Sequence, residues 1–384
     1  MGPRFNGDSC KMCHSQPAIG GTNPLTNPEI AIATAFGARN QIPSFLTPDG
    51  PAREARFIRN PDGSIDGGVH QLFVISGRVD NTGSASDCTI EQEDFESQVA
   101  RDNVVFRIPT PVFGTGLMES IADTTILANM NRFSSEKRAL GISGHPNHVA
   151  KTISRFGWKA QNLSMLFFSG EASNVELGIT NQLLPVEREQ DPDCQYAPVP
   201  NDSQMSNDVI AFPDLMTKIQ NLANFMRFLA PPEPSPDTPG GAESIERGRE
   251  HFIRTGCAMC HTPALTTNPS STVEALQNKE ANLFSDLLVH NMGPGLADNI
   301  AQGEAAGDEF RTAPLWGLGK RIFFLHDGRT TDLLVAIRAH RSRGNGRSQG
   351  NGRYGPSEAN KVIAQFERLD AGEQQDMLNF LRSL

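Results

Sequence analysis

The sequence predicts a mainly α-helical protein of two domains, and three observations carry that prediction. The pattern Cys-x-x-Cys-His occurs twice, as CKMCH at Cys10–His14 and as CAMCH at Cys257–His261. Similar apolar segments follow the two copies, NFMRFL at 224–229 and NFLRSL at 379–384, which amounts to an internal repeat. Between the halves lies APPEPSPDTPGGAES, residues 230–244, where Pro and Gly are too dense for a helix or a central strand.

The expected organisation is a first domain over residues 1–230, a linker over 231–244 and a second domain over 245–384. Before the linker, Ile219, Leu222, Met226 and Leu229 recur at helical spacing, so one stripe faces a core. Glu243 to Arg254 reads as a helix leading into the second motif. Further on, Thr331 or Asp332 caps a helix in which Leu333, Ala336, Ile337 and His340 share one face. At the end of the chain, Asp370 and Glu373 form a capping pair ahead of the stripe Met377, Phe380, Leu381 and Leu384. His14 precedes Asn224 by 210 residues, whereas His261 precedes Asn379 by 118, so the first unit carries roughly 90 extra residues. This insertion, about 60–210, holds strand-like pieces at Gln71–Val79 and Val104–Ile108 and predicts a minor β element.

Charge and hydropathy exclude some partners. The net charge of −10, from 34 Lys and Arg against 44 Asp and Glu, argues against nucleic acid or an anionic membrane surface. A basic face on a small redox protein is the natural complement. No run of 18 apolar residues occurs, so no transmembrane segment is expected.

Three chemistries use a Cys-x-x-Cys pair: a redox dithiol, half of a zinc site, and attachment of a c-type haem when His follows directly. A zinc ribbon wants its two pairs close in sequence, and here they stand 247 residues apart. His is scarce, 9 of 384 residues, yet it follows both pairs. The reading is two covalently bound haem c groups, with His14 and His261 as proximal iron ligands beside Cys10, Cys13, Cys257 and Cys260. The fold class then becomes two cytochrome c-like haem domains, the first enlarged by an insertion with minor β structure. A dithiol oxidoreductase remains the reading if these four cysteines carry nothing. Covalent haem is attached outside the bacterial cytoplasm, so a periplasmic location is expected, with a signal peptide upstream of Met1. Cys88 and Cys194 form either one disulfide or two free thiols.

With these residues assembled, the chain resembles the bacterial di-haem oxidoreductase family, within the di-haem cytochrome c peroxidase and MauG-like superfamily. The segments that carry the resemblance are GPRFNGDSCKMCHSQPAIGG, FRIPTPVFGTGL, RFGWKAQN, LLVHNMGPGLAD, EFRTAPLWGLG and FFLHDGRTTDLLVAIRAH. It implies one haem with an open or displaceable position where peroxide reacts and a second, six-coordinate haem that handles electrons. Relatives place the distal ligand of the second haem, often Met, fourteen residues beyond the His of the HDG turn; counting from His326 gives His340. For the first haem an open position is expected, with His70 the nearest candidate ligand.

The resemblance further implies that Trp158 shortens an electron path, with core packing as the alternative role, and that Trp316 is a core residue. Glu176 falls near the acid that relatives keep for proton transfer to and from peroxide, with a solvated carboxylate as the alternative. His290 is expected at a haem propionate or as a supporting donor, with Met292 close by, while His145 and His148 are expected in loops. Thr312 and Pro314 match backbone positions that bind calcium in relatives, but Arg107 replaces the partnering Asn, which leaves calcium doubtful. Expected partners are hydrogen peroxide or a similar small oxidant and a small electron-transfer protein, a cytochrome c or cupredoxin. The alternative function is a di-haem electron-transfer cytochrome without substrate turnover.

Overall fold

Thirty-five glycines and 26 prolines interrupt the backbone often enough that regular structure comes in short pieces. The computed structural model describes residues 1–384 except 36–39, 78, 81–82, 85–87, 196, 198–199, 202–216, 238 and 345–352, so parts of the expected 60–210 insertion lie outside the described residues. Helices run from four to fourteen residues and strands from two to four. The architecture is helical with minor sheet, and long irregular connections replace much of the helix that the sequence predicts.

The chain divides into two compact units, Met1–Pro111 with Met165–Phe228, and Val112–Ser164 with Leu229–Leu384. The last crossing, at Phe228, lies beside the expected linker. Residues 112–164, expected in the first domain, belong to the unit of the second motif. Local bonding explains why: the Gly114 amide donates to Leu229 O at 2.8 Å, Asn268 N to Ser120 O at 2.7 Å, and Arg311 N to Trp158 O at 2.8 Å.

In the first unit an antiparallel sheet orders Val69–His70, Glu54–Phe57 and Val104–Arg107, with Glu54–Phe57 in the middle. Arg4–Phe5 pairs separately with Phe73–Val74. Phe5, Phe57, Leu72, Phe73 and Phe95 form the core around these strands. The helix Met165–Leu177 packs against Lys218–Arg227. The second of these buries Ile219, Ala223 and Met226, and Thr217 with Gln220 closes its capping box. It stops at Arg227, so Leu229 of the expected stripe lies beyond it. Cys88 and Cys194 are joined in a disulfide with Cα atoms 5.4 Å apart, which settles that alternative. Val74 and Ile90 bury it.

The second unit is organised by two helices, Gly241–Arg254 and Ala371–Ser383. They meet at Gly248, where the backbone carbonyl of Asp376 occupies the place of a side chain. Ser244 Oγ donates to Asp376 Oδ1 at 2.5 Å and Asn379 Nδ2 donates to Ser244 Oγ at 2.9 Å, which fixes the crossing. The expected Asp370–Glu373 capping box is present, and Met377, Phe380, Leu381 and Leu384 are buried with Phe252, Phe284 and Phe366. Asp332 caps the helix Leu333–Ala339 by accepting from Leu334 N and Val335 N, and His340 follows as its C-cap.

Candidate functional site

The second motif follows directly on the helix Gly241–Arg254. Gly256, at φ 90°, turns the chain into the short 3₁₀ turn Cys257–Met259, and His261 N closes on Cys257 O at 2.9 Å. Cys257, Cys260, His261 and His340 line an apolar cavity of about 220 Å³, walled in part by Phe252, Phe324 and Met377.

Across this cavity the His261 and His340 rings stand with centroids 6.5 Å apart. His261 Nδ1 bonds to Phe284 O at 3.0 Å and His340 Nδ1 to Ala336 O at 2.9 Å. A carbonyl oxygen can only accept, so each Nδ1 carries the proton and each Nε2 keeps its lone pair. Burial pushes the His261 imidazole down to about 4, with the neighbouring His340 adding to the effect, and burial lowers His340 as well. Both are therefore neutral imidazoles, the form that binds a metal. Two metal–imidazole bonds of about 2 Å, with the ring radius on either side, come to about 6 Å, which matches one metal ion between them. The residues present fit a haem held in this cavity.

The thiols point the same way. Burial raises the pKa of Cys10, Cys13 and Cys260, and raises Cys257 to about 11. Redox dithiols are activated by a lowered pKa, and the shift at these thiols runs the other way.

His290 lines the same cavity but has neither ring nitrogen free. Its Nε2 meets Asp286 Oδ2 at 3.0 Å and its Nδ1 meets Glu358 Oε2 at 2.8 Å, with Cys260 Sγ 3.6 Å from Nδ1. Burial opposes the charged ring, but its pKa stands well above the usual value, with the Asp286 carboxylate on Nε2 among the causes. Cys260, Asp286 and His290 are close enough to hold a metal ion, yet a charged imidazole donates from both nitrogens and offers no lone pair. Gly144 makes room for this ring, since a side chain there would collide with it.

Trp158 also borders the cavity, edge-on to His326 at 6.3 Å. His326 stacks on Phe310 at 4.3 Å, and the buried Lys159 ammonium lies 4.1 Å from the Phe310 centroid. Trp316 is a buried core residue seated against Gly114. His145 pairs with Glu309 and His148 with Glu304. The Thr312 carbonyl accepts from Ser285 Oγ and Arg311 Nη1.

At the first motif, Cys10–Cys13 forms one helical turn, with His14 N bonded to Cys10 O at 3.0 Å. His14 Nδ1 meets Gly21 O at 3.0 Å and burial lowers its pKa, the same arrangement as at His261 and His340. Glu176 accepts from Asn6 Nδ2 at 2.7 Å, and its backbone carbonyl accepts from Asn6 N and Gly7 N, so the helix end and the motif segment are tied together. Burial, with the nearby Glu54 charge, pushes Glu176 up to about 7, against the pull of Arg56 and Arg188. A second buried acid, Glu29, is held at about 8 by burial and accepts from Arg53 N. Both charges raise the Cys13 thiol. Asn27 Oδ1 accepts from Glu29 N at 2.9 Å where the helix Glu29–Ala35 begins, and the sequence gives no sign that this glutamate is buried.

His70, the expected candidate ligand for the first haem, has Nε2 on Asp66 at 2.9 Å and Nδ1 on Glu93 at 3.3 Å, and stacks on Phe57 at 3.6 Å. Both nitrogens are occupied, so the ring serves the packing of the small sheet.

A helical fold with two such motifs, each ending in a neutral imidazole with a free Nε2, defines a haem-binding oxidoreductase. The family model described as "Di-haem oxidoreductase, putative peroxidase" matches residues 58–384, and the chain belongs to that family. The matched segment contains the second motif, while the first lies ahead of it.

No curated protein matches the chain. Among solved structures, hydrazine synthase from Kuenenia stuttgartiensis is 19% identical over 43% of this chain and 55% of its own, with a TM-score of 0.27. This chain thus spans just over half the length of that one. A MauG-like protein associated with microbial copper homeostasis is 15% identical over 72% of this chain and 90% of its own, with a TM-score of 0.33. At these scores neither defines the fold. Among the described residues no helix is long and apolar enough to cross a membrane.

Proposed function

We propose that the protein is a periplasmic di-haem c-type oxidoreductase that reduces hydrogen peroxide, or a similar small oxidant, at the first motif and draws electrons through the second. The observation that carries this reading is the pair of neutral imidazoles, His261 and His340, with ring centroids 6.5 Å apart in an apolar cavity bordered by Cys257 and Cys260.

In this reading Cys10 and Cys13, and Cys257 and Cys260, would each hold one haem through thioether links, His14 and His261 would bind the iron, and His340 would be the second ligand of the C-terminal group. Bound haem supplies an iron that exchanges single electrons and accepts oxidising equivalents. The chain's own part is positioning and proton transfer. Glu176 takes the proton from incoming peroxide and returns it to the departing oxygen, a role suited to a carboxyl poised near 7. Asn6 holds that carboxyl through a 2.7 Å hydrogen bond. Trp158, at the cavity wall, serves the electron path, and a small cytochrome c or cupredoxin is the donor.

The closed His261–His340 pair on its own also suits an electron-transfer cytochrome without turnover. Electron paramagnetic resonance of the oxidised protein separates the two. One high-spin and one low-spin ferric signal, with the high-spin one altered by peroxide, support the enzyme. Two low-spin signals indifferent to peroxide leave the carrier.

A further inference from the structure

Two arginines border the second-motif cavity with no acid to neutralise them. Arg321 follows the 3₁₀ turn Leu318–Lys320, and its Nε is buried with no hydrogen-bond partner among the described residues. Burial pushes its pKa down to about 10. Arg311 ends the strand Glu309–Arg311 and is 5% exposed. Its Nε donates to Gly157 O at 2.9 Å and its Nη1 to Thr312 O at 3.3 Å. Burial first, and then the charge of Arg321, push it down to about 10 as well. The two guanidinium groups therefore sense each other, and neither forms an ion pair among the described residues.

Withdrawing two like charges from water with nothing negative opposite is strongly unfavourable. Glu358, which lines the same cavity, does not help, because it is engaged by His290, as is the nearby Asp286. An anion carried in by a ligand would neutralise them. A planar guanidinium suits a carboxylate, which it can grip through two parallel N–H donors.

We propose that Arg321 and Arg311 form the carboxylate-binding end of this cavity and receive the propionate groups of the haem attached at Cys257 and Cys260. The inference rests on the haem reading above and extends it to how the group is oriented and charged. Cys257 and Cys260 would anchor the group, His261 and His340 would hold its metal, and the two arginines lining the same cavity would receive its carboxylates. Haem brings those carboxylates attached to itself, which favours propionates over a free acid. As positioning residues, the arginines also favour the reduced iron, which bears one positive charge fewer.

The test uses the holoprotein with Arg321→Met and Arg321→Lys, reading the midpoint potential of the second-motif haem and its propionate bending band by resonance Raman. Arg321→Met is expected to lower the potential by on the order of a tenfold change in the oxidised-to-reduced ratio, about 59 mV for a one-electron couple, and to move the band. Arg321→Lys keeps the charge and loses the fork, so it is expected to move the band while retaining most of the potential. An unchanged potential and band in Arg321→Met overturn the proposal. Should that variant not accumulate, an unmoved band in Arg321→Lys overturns it alone. A saturable shift of the wild-type potential with added acetate shows a site open to free carboxylates and also overturns it. Wild-type protein carrying no haem at Cys257 and Cys260 defeats the functional reading itself, which the arginine variants leave standing.

Discussion

His261 and His340 come from segments 79 residues apart in the sequence and meet with ring centroids 6.5 Å apart, each held by Nδ1 on a backbone carbonyl. The backbone thus chooses the tautomer at both positions and leaves the lone pair on each Nε2. Nothing in apolar packing calls for that arrangement, and in the reading proposed above the two imidazoles would hold one metal.

Replacing His340 by Met tests the pairing. A thioether favours reduced iron more than imidazole does, so the second haem is expected to rise in potential by on the order of 0.1 V, within the span of about 0.8 V that axial ligands control. Redox titration checks this. An unchanged potential and an intact bis-imidazole spectrum would show that His340 is not the ligand.

Glu176→Gln keeps the size of the side chain and removes the exchangeable proton. Peroxide turnover is expected to fall by roughly 10²- to 10⁴-fold with haem content unchanged. Because Glu176 is held at about 7 and must be ionised to accept the first proton, wild-type kcat/KM should drop as pH falls through about 7. The variant should lose that limb. A full rate at any pH in the variant removes Glu176 from the chemistry.

Glu29 makes a stability prediction. Its pKa is about 8 in the folded chain against an ordinary value of 4.5. Between those values the folded state holds a proton that the unfolded chain has released, so stability is full below about 4.5 and falls as pH rises through about 8. Glu29→Gln is expected to flatten this dependence and to gain up to a few kcal/mol above pH 8. Urea titrations at several pH values measure it, and parallel curves for both proteins would refute it.

The Cys88–Cys194 disulfide closes a loop of 106 residues. Changing both cysteines to Ser is expected to lower stability by about 2–5 kcal/mol, read from the denaturant midpoint. A shift below about 0.5 kcal/mol would mean that the link does little for the fold.

What the sequence revealed was local. The Asp370–Glu373 capping box, the stripe ending in Leu384 and the approach of His340 to the second motif are all encoded by spacing of three or four residues or by a fixed count from the HDG turn. What it concealed depends on distant partners. The burial of Glu29 arises where Arg53 and the first motif converge on it, and the binding of His290 by Glu358 joins residues 68 apart. No periodicity announces such pairings. The segment 112–164 escaped for the same reason, since its place in the second unit rests on single backbone bonds such as Gly114 to Leu229.

The most direct measurement is the intact mass and absorption spectrum of protein exported in a host that can attach haem. The expected result is two added tetrapyrroles, located by peptide mapping to Cys10–Cys13 and Cys257–Cys260, with no titratable thiol left in either motif. Colourless protein with four free thiols and no added mass would contradict it.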